Sequence, residues 1–180
     1  GAGPAGLACA ERLNAAGWTV TVHDRNREIG GLLATGVPPF KLDKSLLARR
    51  RAWLEAAGVR FELGTVVDGT RAQRLAAEHD ALFLGLGAQS PRAVALPGQD
   101  KAGVLDALGF LAAVNAGLAP DLHGGQVLVL GGGDTAMDCA RSALRLGAAV
   151  TLAYRGAESR LRASPSEVRE AREEGTFFLF

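Results

Sequence analysis

The sequence predicts an α/β protein made of two units, each a parallel sheet with flanking helices. The main support is an internal repeat: a glycine turn, a helix, a single glycine and a β-rich run occur twice, 130 residues apart. Glycine is also frequent, at 24 of 180 residues, about twice the average usage, and several glycines follow apolar runs. The residues in register are Gly1 and Gly131, Gly3 and Gly133, Cys9 and Cys139, Gly17 and Gly147, and Arg25 and Arg155.

The first copy of the repeat opens the chain. Residues 1–6 (GAGPAG) form the turn, apolar residues at helical spacing predict a helix over 7–16, and Gly17 ends that helix. The β-rich run 18–24 predicts a strand that closes on Asp24. Further helices are expected over 45–57 and near 70–78, and further strands over 59–63 and 81–84.

The second copy has the same order of elements. A strand is predicted over 126–130, the turn is 131–136 (GGGDTA), a helix follows over 137–146, and the next strand is expected over 148–154. Outside the copy, a helix is expected over 105–115 and a final strand over 177–180.

Composition excludes some classes of function. The 20 basic and 19 acidic residues leave a formal charge of +1, which argues against a nucleic acid or an anionic membrane recognised by bulk charge. Cys9 and Cys139 are too few for a disulfide framework and match no metal-binding spacing, which favours a reducing, cytoplasmic setting. No apolar run approaches ~18 residues, so no transmembrane span is expected.

The two ends of the sequence predict a piece of a longer protein. Residues 1–6 would need a strand before them, and residues 177–180 resemble a strand that is cut short. We place the domain boundary near residue 100, which gives domains 1–100 and 101–180, and we expect both to be incomplete.

The two turns contain the residues that a dinucleotide needs. In a Rossmann-like unit the first glycine makes the tight turn, the second lets the backbone approach the pyrophosphate, and the third lets the helix pack close to the strand. The helix N-terminus then offers free N–H groups and partial positive charge to the phosphates. These positions hold Gly1, Gly3 and Gly6 in the first copy, and Gly131, Gly133 and the small Ala136 in the second.

The residue that closes the second strand differs between the copies. Asp24 lies 18 residues after Gly6, where a carboxylate accepts hydrogen bonds from an adenosine ribose. The second copy has Tyr154 and then Arg155 here, and an arginine pairs with a 2′-phosphate that a carboxylate would repel. The second site is therefore expected to prefer NADP(H) to NAD(H). The alternative is that Arg155 is a solvated charge, since Arg25 fills the same place in the first copy.

Longer motifs extend this pattern along the chain. In order they are residues 1–6, 30–44 (GGLLATGVPPFKLDK), 84–98, 131–139 (GGGDTAMDC) and 154–175. Together they resemble the NADPH-dependent glutamate synthase small (beta) subunit family and the related amino-terminal half of dihydropyrimidine dehydrogenase, over essentially all 180 residues. The stretch 30–44 resembles the loop that wraps the flavin and is the most family-specific of these motifs.

The resemblance implies an FAD-binding domain followed by an NADPH-binding domain, with no catalytic side chain and no metal ligand. The implied FAD contacts are Gly1, Gly3, Pro4, Ala5, Gly6, Asp24, Arg25, Gly31, Leu32, Lys41, Gly87, Ala88 and Arg92. The implied NADPH contacts are Gly131, Gly133, Asp134, Thr135, Ala136, Arg155 and Arg162. Three features depart from the family. Gly156 stands where a second basic residue is usual, and the cysteine-rich amino-terminal region and the segment that completes the FAD domain are not in the sequence.

By the same resemblance, NADPH passes a hydride to the flavin, and electrons then go to an iron–sulfur or partner-subunit acceptor outside this chain. Two alternatives stay open: a standalone flavoprotein reductase of the ferredoxin–NADP type, and a nucleotide-binding module without redox turnover. Asp134 either orients the nicotinamide or a water on the pyrophosphate, or it caps the helix that starts there, and we favour the cap.

The remaining polar and aromatic residues are expected to be structural. Cys9 and Cys139 belong to no CxxC dithiol of the thioredoxin-reductase type and are predicted to be small core residues. No metal is assigned to His23, His79 or His123. Residues 49–51 (RRR) are expected on a solvated helix face, with Leu46, Leu47, Trp53 and Leu54 as the buried stripe.

Overall fold

A computed structural model describes residues 1–88, 90 and 96–180 of the chain. The chain forms two compact units, Gly1–Ser90 and Pro91–Phe180. We call them the first and the second unit. Each contains one of the two glycine turns, and whether each is an FAD-binding or an NADPH-binding domain stays a prediction.

The first unit is built on two parallel strands. Its elements in chain order are α1 (Pro4–Ala15), β1 (Thr21–His23), α2 (Leu32–Thr35), α3 (Ser45–Ala56), β2 (Arg60–Glu62) and α4 (Gly69–Glu78). The strands pair in parallel, with Val22 opposite Phe61. The buried side chains around them are Ala2, Leu7, Ala10, Val22, Ile29, Leu54 and Val59.

The strand expected over 81–84 does not form. β1 and β2 pair only with each other among the described residues, and residues 81–84 pair with neither of them. The side chains of Leu82, Phe83 and Leu84 are 41%, 53% and 66% exposed. An apolar run predicts a strand by its composition, but a strand exists only with a hydrogen-bonded neighbour, and the described residues provide none for this run.

The second unit is built on a three-stranded parallel sheet. Its elements are α5 (Ala107–Asn115), β3 (Gln126–Leu130), α6 (Asp134–Arg145), β4 (Ala149–Ala153), a 3₁₀ turn (Glu158–Arg160), α7 (Pro165–Glu173) and β5 (Phe177–Leu179). The strand order is β3–β4–β5. The core includes Met137, Ala140, Val150 and Leu152, which are buried where α6 packs on the sheet. The predicted α/β class with parallel sheets is confirmed.

Helix α7 was not predicted, although the sequence carries its start signal. Ser164 is the N-cap, its Oγ accepts a hydrogen bond from the Glu167 N–H, and Pro165 occupies the first helical position. This Ser-Pro-Ser-Glu sequence has the form of a capping box and predicts a helix start. The family resemblance interprets the stretch only as part of the longer motif.

Of the four residues of α3 that were expected to be buried, two are exposed. Leu54 is buried and Leu47 packs against the core, but Leu46 and Trp53 are 40% and 51% exposed. The guanidinium of Arg50 lies 4.7 Å from the centre of the Trp53 ring, and Arg50 also pairs with Glu11 of α1. The Trp53 ring is therefore stabilised at the surface by a cation–π contact with Arg50, which the spacing of apolar residues does not predict.

In the part of the chain that the structure describes, no helix has the length and apolar character needed to cross a bilayer.

Candidate functional site

The first glycine turn is packed too closely for side chains. Helix α1 begins at Pro4, with Gly3 as its N-cap and no capping side chain. A Cβ placed on Gly6 would lie 1.8 Å from the Gly1 carbonyl oxygen, and one on Gly1 would lie 2.1 Å from the carbonyl oxygen of Gly85. Glycine at positions 1 and 6 therefore lets the helix approach the turn, as the sequence pattern predicted.

Asp24 ties the end of β1 to this turn. The residue is buried, at 9% exposure. Its Oδ2 accepts a hydrogen bond from the Ala2 N–H at 2.7 Å, and its Oδ1 accepts one from the Asn26 N–H at 2.8 Å. A carboxylate has about four lone-pair sites, so further acceptor capacity remains for hydroxyl groups of a ligand. Arg25, the next residue, is exposed.

The loop over residues 30–44 lies beside the same turn. The Gly30 N–H donates to the Ala2 carbonyl oxygen at 2.7 Å. Gly31, at φ +54°, comes close to Gly3, because a Cβ on Gly31 would lie 3.1 Å from the Gly3 Cα. Leu32 and Lys41 are exposed. The structure thus brings Gly31 to the turn and leaves Leu32 and Lys41 at the surface.

Lys44 holds this loop in shape, a role that the motif did not reveal. Its Nζ donates to the Leu33 carbonyl oxygen at 2.7 Å and also to the carbonyl oxygen of Val37. Partial burial lowers the pKa of the Lys44 ammonium. The cation satisfies one carbonyl group of the short helix α2, that of Leu33, and one of the segment just after it, that of Val37.

The remaining predicted FAD contacts lie near residue 87. Gly85 packs beside the turn, since a Cβ on it would lie 3.3 Å from the Gly6 nitrogen. Gly87 and Ala88 are exposed, and Gly87 adopts φ +69°. Arg92 lies outside the described residues.

The second glycine turn resembles the first but is more open at its base. Helix α6 begins at Asp134, with Gly133 as its N-cap and no capping side chain. Gly131 adopts φ +142°, and a Cβ on it would lie 3.4 Å from the Ala136 methyl group, an ordinary contact. Ala136 therefore fits where the first turn has Gly6.

Asp134 does not cap its own helix, so the expected cap is wrong. The residue is in the first turn of α6 and not at the N-cap. Its Oδ1 accepts a hydrogen bond from the Ser164 N–H at 2.9 Å. The carboxylate thereby connects the start of α6 to the start of α7. The neighbouring Thr135 is exposed.

A loop that carries several arginines is fastened to the second turn. The carbonyl oxygen of Gly132 accepts hydrogen bonds from the N–H groups of Arg162, at 2.8 Å, and Ala163, at 2.9 Å. The side chains of Arg155 and Arg162, both predicted phosphate ligands, are exposed. The loop thus holds two cationic side chains on a backbone that is fixed to the glycine turn.

Both turns fit a diphosphate. Among the described atoms, a Cβ on Gly133 would meet none within 4 Å, and one on Gly3 would meet only the Gly31 Cα, at 4.0 Å. Each helix N-terminus therefore has open space in front of backbone N–H groups that lack partners within the helix. Such a terminus attracts anions through its N–H groups and its dipole.

The thiols offer no dithiol chemistry among the described residues. Both cysteines are free; Cys9 is half-buried and Cys139 is buried. Burial, together with the nearby carboxylates of Asp138 and Asp106, raises the pKa of the Cys139 thiol to about 12. A thiol that is protonated at neutral pH is a poor nucleophile. The core role predicted for Cys139 agrees with its burial, whereas Cys9 is only partly enclosed.

Known proteins share this sequence and fold. The chain is 50% identical to the putative oxidoreductase AegA of Escherichia coli (strain K12), with 100% of the chain and 29% of that protein covered. It is 49% identical to the glutamate synthase [NADPH] small chain of Halomonas elongata, with 100% of the chain and 40% of that protein covered. A structure of a variant of FprA from Mycobacterium tuberculosis matches with a TM-score of 0.79 at 26% identity, over 96% of this chain and 46% of that one.

The chain spans less than half the length of these relatives. The profile of the family described as pyridine nucleotide-disulphide oxidoreductase matches residues 1–175, nearly the whole chain. The matched range includes both glycine turns, Asp24 and the loop that carries the arginines. The chain belongs to the pyridine nucleotide-disulphide oxidoreductase family.

Proposed function

We propose that this chain is the cofactor-binding part of an NADPH-dependent FAD oxidoreductase, with FAD on the first unit and NADPH on the second. The observation that carries the proposal is the pair of glycine turns with open space at the helix N-terminus, which differ in the residues at the end of the strand that follows. In the first copy this residue is the buried Asp24, and in the second copy Tyr154 and Arg155 are in this place. The names of relatives that include NADPH support the same assignment.

On the first unit, the N-terminus of α1 binds the FAD pyrophosphate. Gly3 leaves room for it, and the N–H groups of the first helical turn donate to it. Asp24 accepts hydrogen bonds from the ribose while it holds Ala2 and Asn26 in place. Gly31 and the loop that Lys44 fixes close over the cofactor. The further proposed contacts are Pro4, Ala5, Arg25, Leu32, Lys41, Gly87, Ala88 and Arg92.

On the second unit, the N-terminus of α6 binds the NADPH pyrophosphate beside Gly133. Asp134, whose carboxylate is engaged by the Ser164 N–H, positions the start of the helix. Arg155 and Arg162 pair with the 2′-phosphate through charge-assisted hydrogen bonds. When both cofactors are bound, NADPH supplies a hydride and FAD accepts it. The protein binds and orients the two cofactors and needs no acid–base side chain for that transfer.

The acceptor of the electrons lies outside this chain in our proposal. A relative at 49% identity is named a small chain, and a small chain implies a larger partner chain in that protein. This supports an acceptor on a partner chain. We propose an iron–sulfur domain or partner subunit as the acceptor, in a cytoplasmic setting. A bound [Fe–S] cluster or a second polypeptide that copurifies with the protein and is reduced by NADPH is the expected finding.

The visible spectrum of the purified protein tests the proposal. We expect a yellow flavin band that NADPH bleaches under anaerobic conditions. A protein that binds NADPH but lacks the band would be a nucleotide-binding module without redox turnover. A band that neither NADPH nor NADH bleaches, although dithionite does, would contradict hydride transfer between the two sites.

Replacing Arg155 or Arg162 by Ala tests the nucleotide preference. Each change removes a charge-assisted hydrogen bond to the 2′-phosphate, so we expect the dissociation constant for NADP⁺ to rise about tenfold. The constant for NAD⁺, which lacks this phosphate, should stay within about twofold. Titration calorimetry measures both. Arg169→Ala, at an exposed arginine of α7, is the matched control and should change neither value. Equal losses for both nucleotides would contradict the assignment.

A further inference from the structure

The side chain of Tyr154 is wedged between two glycines of the second unit. One edge of the ring faces Gly132, where an added Cβ would lie 2.6 Å from Cδ2. The opposite edge faces Gly156, where an added Cβ would lie 2.8 Å from Cε1. Side chains at either glycine would displace the ring. The two glycines therefore form a slot that fits an aromatic ring.

The hydroxyl group of Tyr154 fastens the loop that carries the arginines. It donates to the carbonyl oxygen of Arg160 at 2.9 Å. The backbone of Tyr154 is itself fixed, because its N–H donates to the Leu179 carbonyl oxygen of β5 at 2.9 Å. The ring thus connects the end of strand β4 to the loop through the hydrogen bond to Arg160.

The same loop is tied to the glycine turn at its far end. Arg162 and Ala163 donate to the Gly132 carbonyl oxygen, and the Leu161 side chain packs against Gly132. Tyr154 contacts Gly132 as well. The tyrosine, the turn and the residues before α7 therefore pack together, and the exposed Arg155 and Arg162 belong to the backbone segments that this packing holds.

We propose that Tyr154 is a positioning residue that sets the preference for the 2′-phosphate, by holding the backbone of Arg155 and Arg162 at a fixed distance from the pyrophosphate turn. The inference rests on the proposed binding of NADPH to the second unit. It also explains Gly156: this position borders the ring, so a larger residue here would push Tyr154 from its slot. In this chain the preference for NADP⁺ over NAD⁺ comes from a loop that Tyr154 holds in place, and not from a second basic residue at position 156.

The change Tyr154→Phe tests this inference, because it keeps the ring and removes only the hydrogen bond to Arg160. We expect the dissociation constant for NADP⁺ to rise about fivefold, the loss of one hydrogen bond that orders the loop. The constant for NAD⁺ should change by less than twofold, because the pyrophosphate turn is intact. Titration calorimetry on the purified protein with NADP⁺ and NAD⁺ gives both values.

Two further variants separate positioning from general loss of structure. Thr151→Val removes a hydroxyl from the same strand β4 and should alter neither constant. Gly156→Ala should lower NADP⁺ affinity, and combining it with Tyr154→Phe should add little, because both changes disturb the same contact. Thermal unfolding of Tyr154→Phe should remain close to that of the wild type.

The outcomes distinguish this inference from the proposed function. A wild-type protein that does not bind NADP⁺ would overturn both. A wild-type protein that prefers NADP⁺, with an unchanged ratio of the two constants in Tyr154→Phe, would overturn the role of Tyr154 alone. An equal rise of both constants would also overturn it, since a purely structural residue has that effect.

Discussion

Replacing Arg141 by Met is expected to lower the free energy of unfolding of the second unit by about 3 kcal/mol. Arg141 is in α6 and its side chain is 6% exposed. Its guanidinium pairs with Glu167 at 3.0 Å and with Glu170 at 2.9 Å. It also donates to Glu174 at 2.8 Å and 3.0 Å. The change removes the cation that all three carboxylates share.

The large effect follows from what remains after the substitution. Glu167 is 14% exposed, so its carboxylate stays largely buried when the Arg141 guanidinium beside it is removed. Removing one partner from a buried ion pair costs several kcal/mol, far more than the loss of a surface ion pair. Because the cluster connects α6 to α7, the packing of α7 on the sheet should weaken as well.

Thermal unfolding measures this effect. The melting temperature of Arg141→Met should fall by on the order of 10 °C. The matched control is Arg169→Met, which removes an arginine from an ion pair of 3.9 Å in which both side chains are more than 60% exposed. Such a pair contributes about 0–1 kcal/mol. Similar melting temperatures for the two variants would mean that the buried cluster does not stabilise the unit.

The same cluster predicts how stability depends on pH. The hydrogen bond from Arg145, followed by that from Arg141, lowers the pKa of Glu174 from 4.5 to about 2. A carboxylate with a lowered pKa stabilises the folded state above its unfolded pKa, and this contribution is lost as the pH falls from about 4.5 towards 2. The wild-type protein should therefore lose stability in this range, with a weaker dependence in Arg141→Met.

The repeat in the sequence predicted most of the fold. The two glycine turns in register give a helix and strand, α1 and β1, in the first copy and a full βαβ unit, β3–α6–β4, in the second, and the positions of α1, α6, β3 and β4 follow from apolar spacing within each copy. The failures have physical causes. Residues 81–84 are apolar, but no strand within residues 1–88 and 96–180 pairs with them, and α7 is short and polar, so only its cap reveals it.

Only part of the candidate site could be predicted from the sequence. The glycine positions could be predicted because the turn geometry restricts which residues fit, whereas the ribose-binding role of Asp24 stays a prediction. Lys44 and Tyr154 could not be predicted, because their roles depend on carbonyl groups of other residues, Leu33 and Arg160, which a motif does not contain. Asp134 was misjudged for the same reason: its partner, the Ser164 N–H, is 30 residues away.

Replacing Gly6 by Ala is expected to weaken FAD binding by roughly a hundredfold. The new methyl group would lie 1.8 Å from the Gly1 carbonyl oxygen and 2.9 Å from its carbon, and both atoms belong to the backbone. Neither can rotate away, so α1 must move from the turn. Overpacking of this kind costs about 1–3 kcal/mol, and here the displaced N–H groups are those that we propose bind the pyrophosphate. The flavin content of the purified protein and titration with added FAD measure the loss.

The matched control is Gly69→Ala, at the first position of α4 in the same unit. A Cβ there would meet no atom within 4 Å, and alanine favours a helix, so FAD binding should stay unchanged and stability should stay equal or rise slightly. Equal flavin contents for the two variants would contradict the proposed site. The register pairs Gly6 with Ala136, and only the second turn has room for the methyl group: it lies 3.4 Å from where a Cβ on Gly131 would be, whereas a Cβ on Gly6 would overlap the Gly1 carbonyl oxygen.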